Sequence, residues 1–300
     1  MAINDGTLNW LLEDNNPGVR VRALSGLCGL SPDHEEVQAA RRLVVQTLDA
    51  ARDLSWVDLK GLWLIYHLTA LAESGLSWDD VPVDPVVNRL LSLPFDASCG
   101  DMMALRALAM LGYADDGRVQ ERLAQLAETQ LPDGGWLCLH RVHKGGKLGR
   151  LGKTPKSCIK AAMHGLLLAG ELEKRGLSFA GSGPLIGYFL KRRLFYRTDD
   201  PTRLVLDCRP GWRMTDVFFP AEVQRVGLPM LLDALAALGA GSAEELQDAW
   251  RLLDDKRDVQ GRVVLEGALA KSYLPKERVG KPSKWGTLYA CLAWEHKDVQ

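Results

Sequence analysis

Cys138-Leu-His140-Arg-Val-His143, followed further on by Cys158, puts two thiols and two imidazoles into one stretch of chain. Thiolate and imidazole are the donors that Zn²⁺ prefers, and ligands one or two residues apart can share one ion without strain. Cys99 would be a further ligand, and a coordination position left open would activate water. The alternative is buried thiols and ordinary loop histidines, because a long glycine-rich gap separates Cys158 from the others and no second close pair follows. The same stretch is basic. From Gly134 through Gly170 there is no Asp or Glu, while Arg141, Lys144, Lys147, Arg150, Lys153, Lys156 and Lys160 recur every three or four residues. Such a run leading into a helix start suits a phosphate, diphosphate or carboxylate headgroup, since free N–H groups there also favour anions. Nucleic acid fits less well, because no aromatic residues are interleaved for base stacking.

Other constellations are weaker. Trp63, Tyr66 and His67 occupy one apolar inner helix, where aromatic rings either line a site that stabilises a carbocation or simply pack. The loop Asp207-Cys-Arg209-Pro-Gly-Trp212-Arg213-Met-Thr-Asp216 adds Arg209 and Arg213 as anion contacts and Asp216 as an acid. Tyr66, His67 and Asp216 are the candidate catalytic groups, with Trp63, Arg141, Lys144, Lys160, Arg209 and Arg213 as candidate substrate contacts. Asp254-Asp255-Lys-Arg-Asp258 has the form of a Mg²⁺-diphosphate motif, but it closes a charged helix end where carboxylates face solvent. Cys158 and His164 make no dyad, since six residues along a helix turn through about 600°. No Ser-His-Asp order, phosphate loop or dinucleotide fingerprint occurs, so no nucleotide cofactor is expected.

Composition bounds what must position these groups. The 300 residues are 47% hydrophobic and 25% charged with a net charge of −1, enough for one large core and giving no global pull toward nucleic acid or membrane. No apolar run approaches the ~18 residues of a bilayer span, and no signal-like start is present, so a single cytoplasmic domain over residues 1–300 is expected. The six scattered cysteines are expected to be reduced.

Segments 33–51, 84–93, 117–129 and 243–253 carry apolar residues on one face only, whereas 55–74, 101–111, 157–172, 221–238 and 284–295 are apolar nearly all round. Alternation of the two kinds at periods of roughly 40 to 65 residues indicates repeated helical hairpins in two layers. Six inner starts, near Gly18, Val57, Cys99, Ser157, Ala221 and Lys284, predict an all-α fold, an (α/α)₆ toroid. The run Arg257 to Val263 follows an outer helix as Gln130 to Trp136 does, which reads as an eroded repeat.

Gln130-x-x-x-Gly134-x-Trp136 resembles the repeat signature of squalene and oxidosqualene cyclases. Asp133-Gly134-Gly135 resembles the turn of protein prenyltransferase β-subunits, and Ser283-Lys-Trp285-Gly-Thr-Leu288 resembles the ending of bacterial single-toroid relatives. The resemblance implies a toroid around an apolar ligand. It covers most of the chain by layout and about ten residues by motif. The cyclases' Asp-x-Asp-Asp run is missing. The prenyltransferases' Asp-x-Cys zinc pair has only the differently spaced Asp96-Ala-Ser-Cys99 and Asp207-Cys208 as counterparts. The expected function is an enzyme of transferase or cyclase type that takes a small apolar molecule with an anionic head. The alternatives are a zinc-dependent hydrolase of phosphate esters and a lipid- or peptide-binding module without turnover.

Overall fold

A computed structural model describes residues 3–137, 157–268 and 273–298. It is 55% helix, with no strand among the described residues. In chain order the helices are α1 (Asp5–Leu11), α2 (Pro17–Gly26), α3 (Glu35–Thr47), α4 (Asp49–Arg52), α5 (Leu62–Glu73), α6 (Asp84–Ser92) and α7 (Cys99–Leu108). There follow α8 (Gly117–Glu128), α9 (Ile159–Glu173), α10 (Ser182–Leu190), α11 (Leu228–Leu235), α12 (Gln247–Asp255) and α13 (Lys284–His296). The expected all-α class holds. The β-branched and leucine-rich runs Arg203–Asp207 and Arg262–Leu265 contribute only isolated bridges, Tyr196 with Leu204, Arg257 with Val263 and Val264 with Pro282.

The two helix kinds also hold. In α3 only Val37, Ala40 and Val44 are buried, and in α12 only Ala249, Trp250 and Leu253, each set at helical spacing along one face. In α11 every residue is buried, and in α9 so is everything from Ala161 to Leu172. A helix apolar all round has to be covered all round. Accordingly α7 packs on both α5 and α9, α9 also on α11, α11 on α13, and α13 on α2, while α3 and α12 cover α2 and α11. Gly18 and Val21 of α2 lie against Ser74 and Gly75 at the end of α5.

Helix boundaries moved where backbone chemistry intervened. The segment expected to be helical from 221 begins its helix at Leu228, because Glu222 and Arg225 pair their backbones in a tight turn (3.0 and 2.9 Å) after the cis Phe219–Pro220 bond. Residues 55–74 divide into a 3₁₀ turn at Leu54–Asp58 and α5, separated by Gly61 at φ 62°. The helix expected from 101 starts earlier, where Ser98 and Asp101 form a reciprocal capping box.

The repeat proposed from sequence has a structural counterpart. Gly134 N–H donates to Leu131 O and Leu131 N–H to Gly135 O (both 2.8 Å); Gly261 N–H donates to Asp258 O (2.9 Å) and Asp258 N–H to Arg262 O (2.8 Å). Both glycines have positive φ, and both turns hand over to the next buried helix by one backbone bond, Cys158 N–H to Trp136 O and Ser283 N–H to Val263 O. Only the first turn keeps its clasp residues. Trp136 is buried and donates from Nε1 to Leu126 O at 2.8 Å, and Gln130 donates to Gly134 O and Gly181 O at 2.9 Å.

Near the C-terminal ends of these helices lies a buried ionic layer. Glu73 accepts from Arg106 and from the Tyr289 hydroxyl (both 2.5 Å), Arg106 donates to Tyr289 Oη at 3.0 Å, and Arg22 lies 3.7 Å from Glu73. Glu171 adds a contact to Arg106 at 3.9 Å and a close pair with Arg175. Four helices, α2, α5, α7 and α13, thereby meet at the Glu73 carboxylate.

Candidate functional site

The N-terminal half of α5 is built differently from its buried C-terminal half. Trp63, Tyr66 and His67 stand three and four residues apart, which brings them to one face. Trp63 is 49% exposed. The His67 ring stacks on Trp56 (centroids 5.1 Å apart) and lies 4.6 Å from Tyr273, and Tyr66 stacks on Tyr273 at 5.4 Å. His67 Nδ1 lies 2.8 Å from Trp63 O, and since a carbonyl only accepts, Nδ1 carries a proton.

Against this aromatic face lies the Glu222–Arg225 turn. Tyr66 donates its hydroxyl to Glu222 Oε1 at 3.0 Å, and His164 Nε2 donates to Glu222 O at 3.1 Å. Burial, then the Glu222 charge, raises the Tyr66 pKa, so the phenol keeps its proton. Burial lowers His164 to about 4, so its imidazole is neutral. Glu222 Oε2 and Tyr273 Oη are both buried with no partner among the described residues. Tyr66, Met103, Ala221 and Tyr273 enclose a cavity of only about 10 Å³, room for one water or one polar ligand atom.

The loop 207–216 adjoins the turn. Lys160 of α9 donates to Gln224 at 3.3 Å. Arg225 is buried between Trp212 and Phe218 and donates to Gly211 O and Ala268 O, which ties the loop to the turn. Arg209 lies over Trp212 at 4.9 Å and is exposed. Arg213 donates from Nε to Cys208 O at 2.8 Å. Asp216, buried, accepts from Arg213 N–H at 2.9 Å and so closes the loop. The Cys208 thiol is pushed up by burial and by Asp216.

The sequence candidates thus separate into groups. Trp63, Tyr66 and His67 come together, Arg209, Arg213 and Asp216 belong to the adjoining loop, and Lys160 reaches the turn through Gln224. Cys99 is buried as the first residue of α7, and Cys158 caps α9. Cys138, His140, Arg141, His143 and Lys144 lie outside the described residues, and among the described residues no group of three or more His, Cys, Asp or Glu could hold a metal ion. Sequence reasoning missed Glu222, Tyr273 and the role of His164. Glu222 had a readable signal, a lone acid between Phe219-Pro-Ala and Val223. Tyr273 had none. Comparison with family models, with curated proteins and with solved structures gives no match.

Proposed function

We propose that the chain is an α/α toroid of the terpene cyclase and protein prenyltransferase type, with α2, α5, α7, α9, α11 and α13 as its inner wall. It binds an apolar molecule with an anionic head at the end where those helices begin. The succession of helix contacts from α5 through α7, α9, α11 and α13 to α2, with Gly18 and Val21 of α2 against Ser74 and Gly75 after α5, supports the architecture. The observation that carries the ligand reading is the Glu222 carboxylate. One oxygen sits on Tyr66, the other has no partner, and the surrounding rings include an exposed tryptophan. Buried polar atoms are nearly always satisfied, so an unmet carboxylate oxygen favours a polar group of a ligand, or a water it displaces. Trp63, Tyr66 and Tyr273 would take the apolar part. Lys160, Arg209 and Arg213 would take the anionic head, with Arg141 and Lys144 as further contacts. Tyr66 and Glu222 would move the proton.

The alternative reading is a binding module without turnover. One experiment separates the two. The purified chain is incubated with an isoprenyl diphosphate, and pyrophosphate release and thermal midpoint are both followed. An enzyme releases pyrophosphate, and Glu222→Gln slows release by ~10²- to 10⁴-fold, the usual contribution of a positioned acid or base. A binding module raises the midpoint with no release, and Trp63→Ala removes the rise. Neither release nor a shift would end both readings.

A further inference from the structure

A second pocket opens at the other end of the same helices, where Ala72 lies six residues along α5 from Tyr66, or ~9 Å at 1.5 Å per residue. Its volume is about 430 Å³, within the usual size for a small-molecule site. Five basic side chains line it, Arg22, Arg41, Lys174, Arg175 and His296, with Glu171 as the only acid in the lining.

Each of these basic side chains has a carboxylate partner, and the arrangement of those pairs decides what a solute meets. In Arg22–Glu73, Lys174–Asp233, Arg175–Glu171 and His296–Asp233 the basic side chain keeps 15% to 32% of its surface, while its carboxylate keeps 0% to 4%. Glu73 and Asp233 lie behind their basic partners and outside the lining, while Glu171, which lines the pocket, is held by Arg175, and Asp80 beside Arg41 keeps 16% of its surface. These carboxylates hold the basic groups in place, which is the preorganisation an anion site needs. Donors are also left over. Arg22 reaches Glu73 only at 3.7 Å and Arg41 reaches Asp80 only at 3.7 Å, both longer than an N–H···O bond. Arg41 Nε is buried with no partner among the described residues. Arg175, by contrast, is committed to Ala109 O and Met110 O, and it serves the scaffold. Leu76, Met110 and Leu292 supply an apolar wall.

We propose that this pocket binds a small phosphorylated metabolite. Arg22, Arg41 and Lys174 take the phosphate, since a guanidinium fork matches its oxygens two at a time, and the carbon body rests on the apolar wall. The inference does not depend on the Glu222 site, and its test uses residues remote from that site.

The test is calorimetric titration of the full chain with inorganic phosphate and with glycerol 3-phosphate, ionic strength being held constant with sodium chloride. Both probes bind saturably, the ester more tightly. Arg41→Gln weakens both by about tenfold, the effect of losing one charge-assisted contact. Ser25→Trp, which fills the pocket from α2 without removing a charge, abolishes binding. Absence of saturable binding by the unaltered chain overturns the proposal. So does binding that is unchanged in both variants, which would place the phosphate on the basic residues between 141 and 160.

Discussion

Glu73 shows what a single buried carboxylate can hold. It is fully buried, and it accepts from Arg106 and Tyr289 with Arg22 close by. Removing its charge strands the Arg106 guanidinium away from water, so Glu73→Gln lowers unfolding stability by about 3–5 kcal/mol, measured in urea. His164 gives a pH-dependent counterpart. Its folded pKa is about 4 against 6.5 when unfolded, so the unfolded chain takes up the proton first as pH falls. Its contribution is therefore complete above pH 6.5 and is lost between 6.5 and 4, at about 1.4 kcal/mol per pH unit. Glu171 loses stability in a lower window. Burial pushes its pKa up, but Arg175 and Lys174 outweigh this and hold it below the ordinary range, so its loss begins only below 4.5. His164→Gln keeps a donor for Glu222 O and removes the slope between pH 4 and 6.5, which urea unfolding at a series of pH values reads directly.

At the scale of elements, close approach between buried helices is set by small residues. A Cβ on Gly170 of α9 would stand 2.8 Å from the Ala234 backbone of α11, which has nowhere to move. Gly170→Ala forces the two helices apart and costs about 1–3 kcal/mol, despite the better helix propensity of alanine. Gly187, inside α10, has nothing within 4 Å of the same position. Gly187→Ala therefore gains about 0.5–1 kcal/mol, and thermal unfolding of the two variants should move in opposite directions. The clasp is an element of the same kind. The Trp136 ring covers Gly165 of α9, and Trp136→Ala leaves a cavity worth about 3–5 kcal/mol under urea unfolding.

Across the whole molecule the two ends of the described chain meet. Helix α13 packs on α2, Thr7 donates to Gln260 O at 2.7 Å, and Lys284 of α13 reaches Glu13 at 3.0 Å. A stack of repeats whose ends are free unfolds in pieces, whereas a chain whose last buried helix rests on its first has no free end from which to begin. Far-UV circular dichroism and tryptophan fluorescence should therefore report one coincident urea transition. Two separated transitions would count against the closed arrangement proposed above.

The amino-acid order determined which helices are covered on one side and which on all sides, because that follows from hydrophobic periodicity alone. It also determined the repeated turn, since Gly134 and Gly261 occupy positions whose dihedrals other residues resist. Only the tertiary structure decided which polar groups meet. Tyr66 lies 156 residues from Glu222 along the chain, and Glu73 lies 216 from Tyr289. No local pattern encodes such pairs, because they exist only once packing has removed the water that would otherwise satisfy each partner alone.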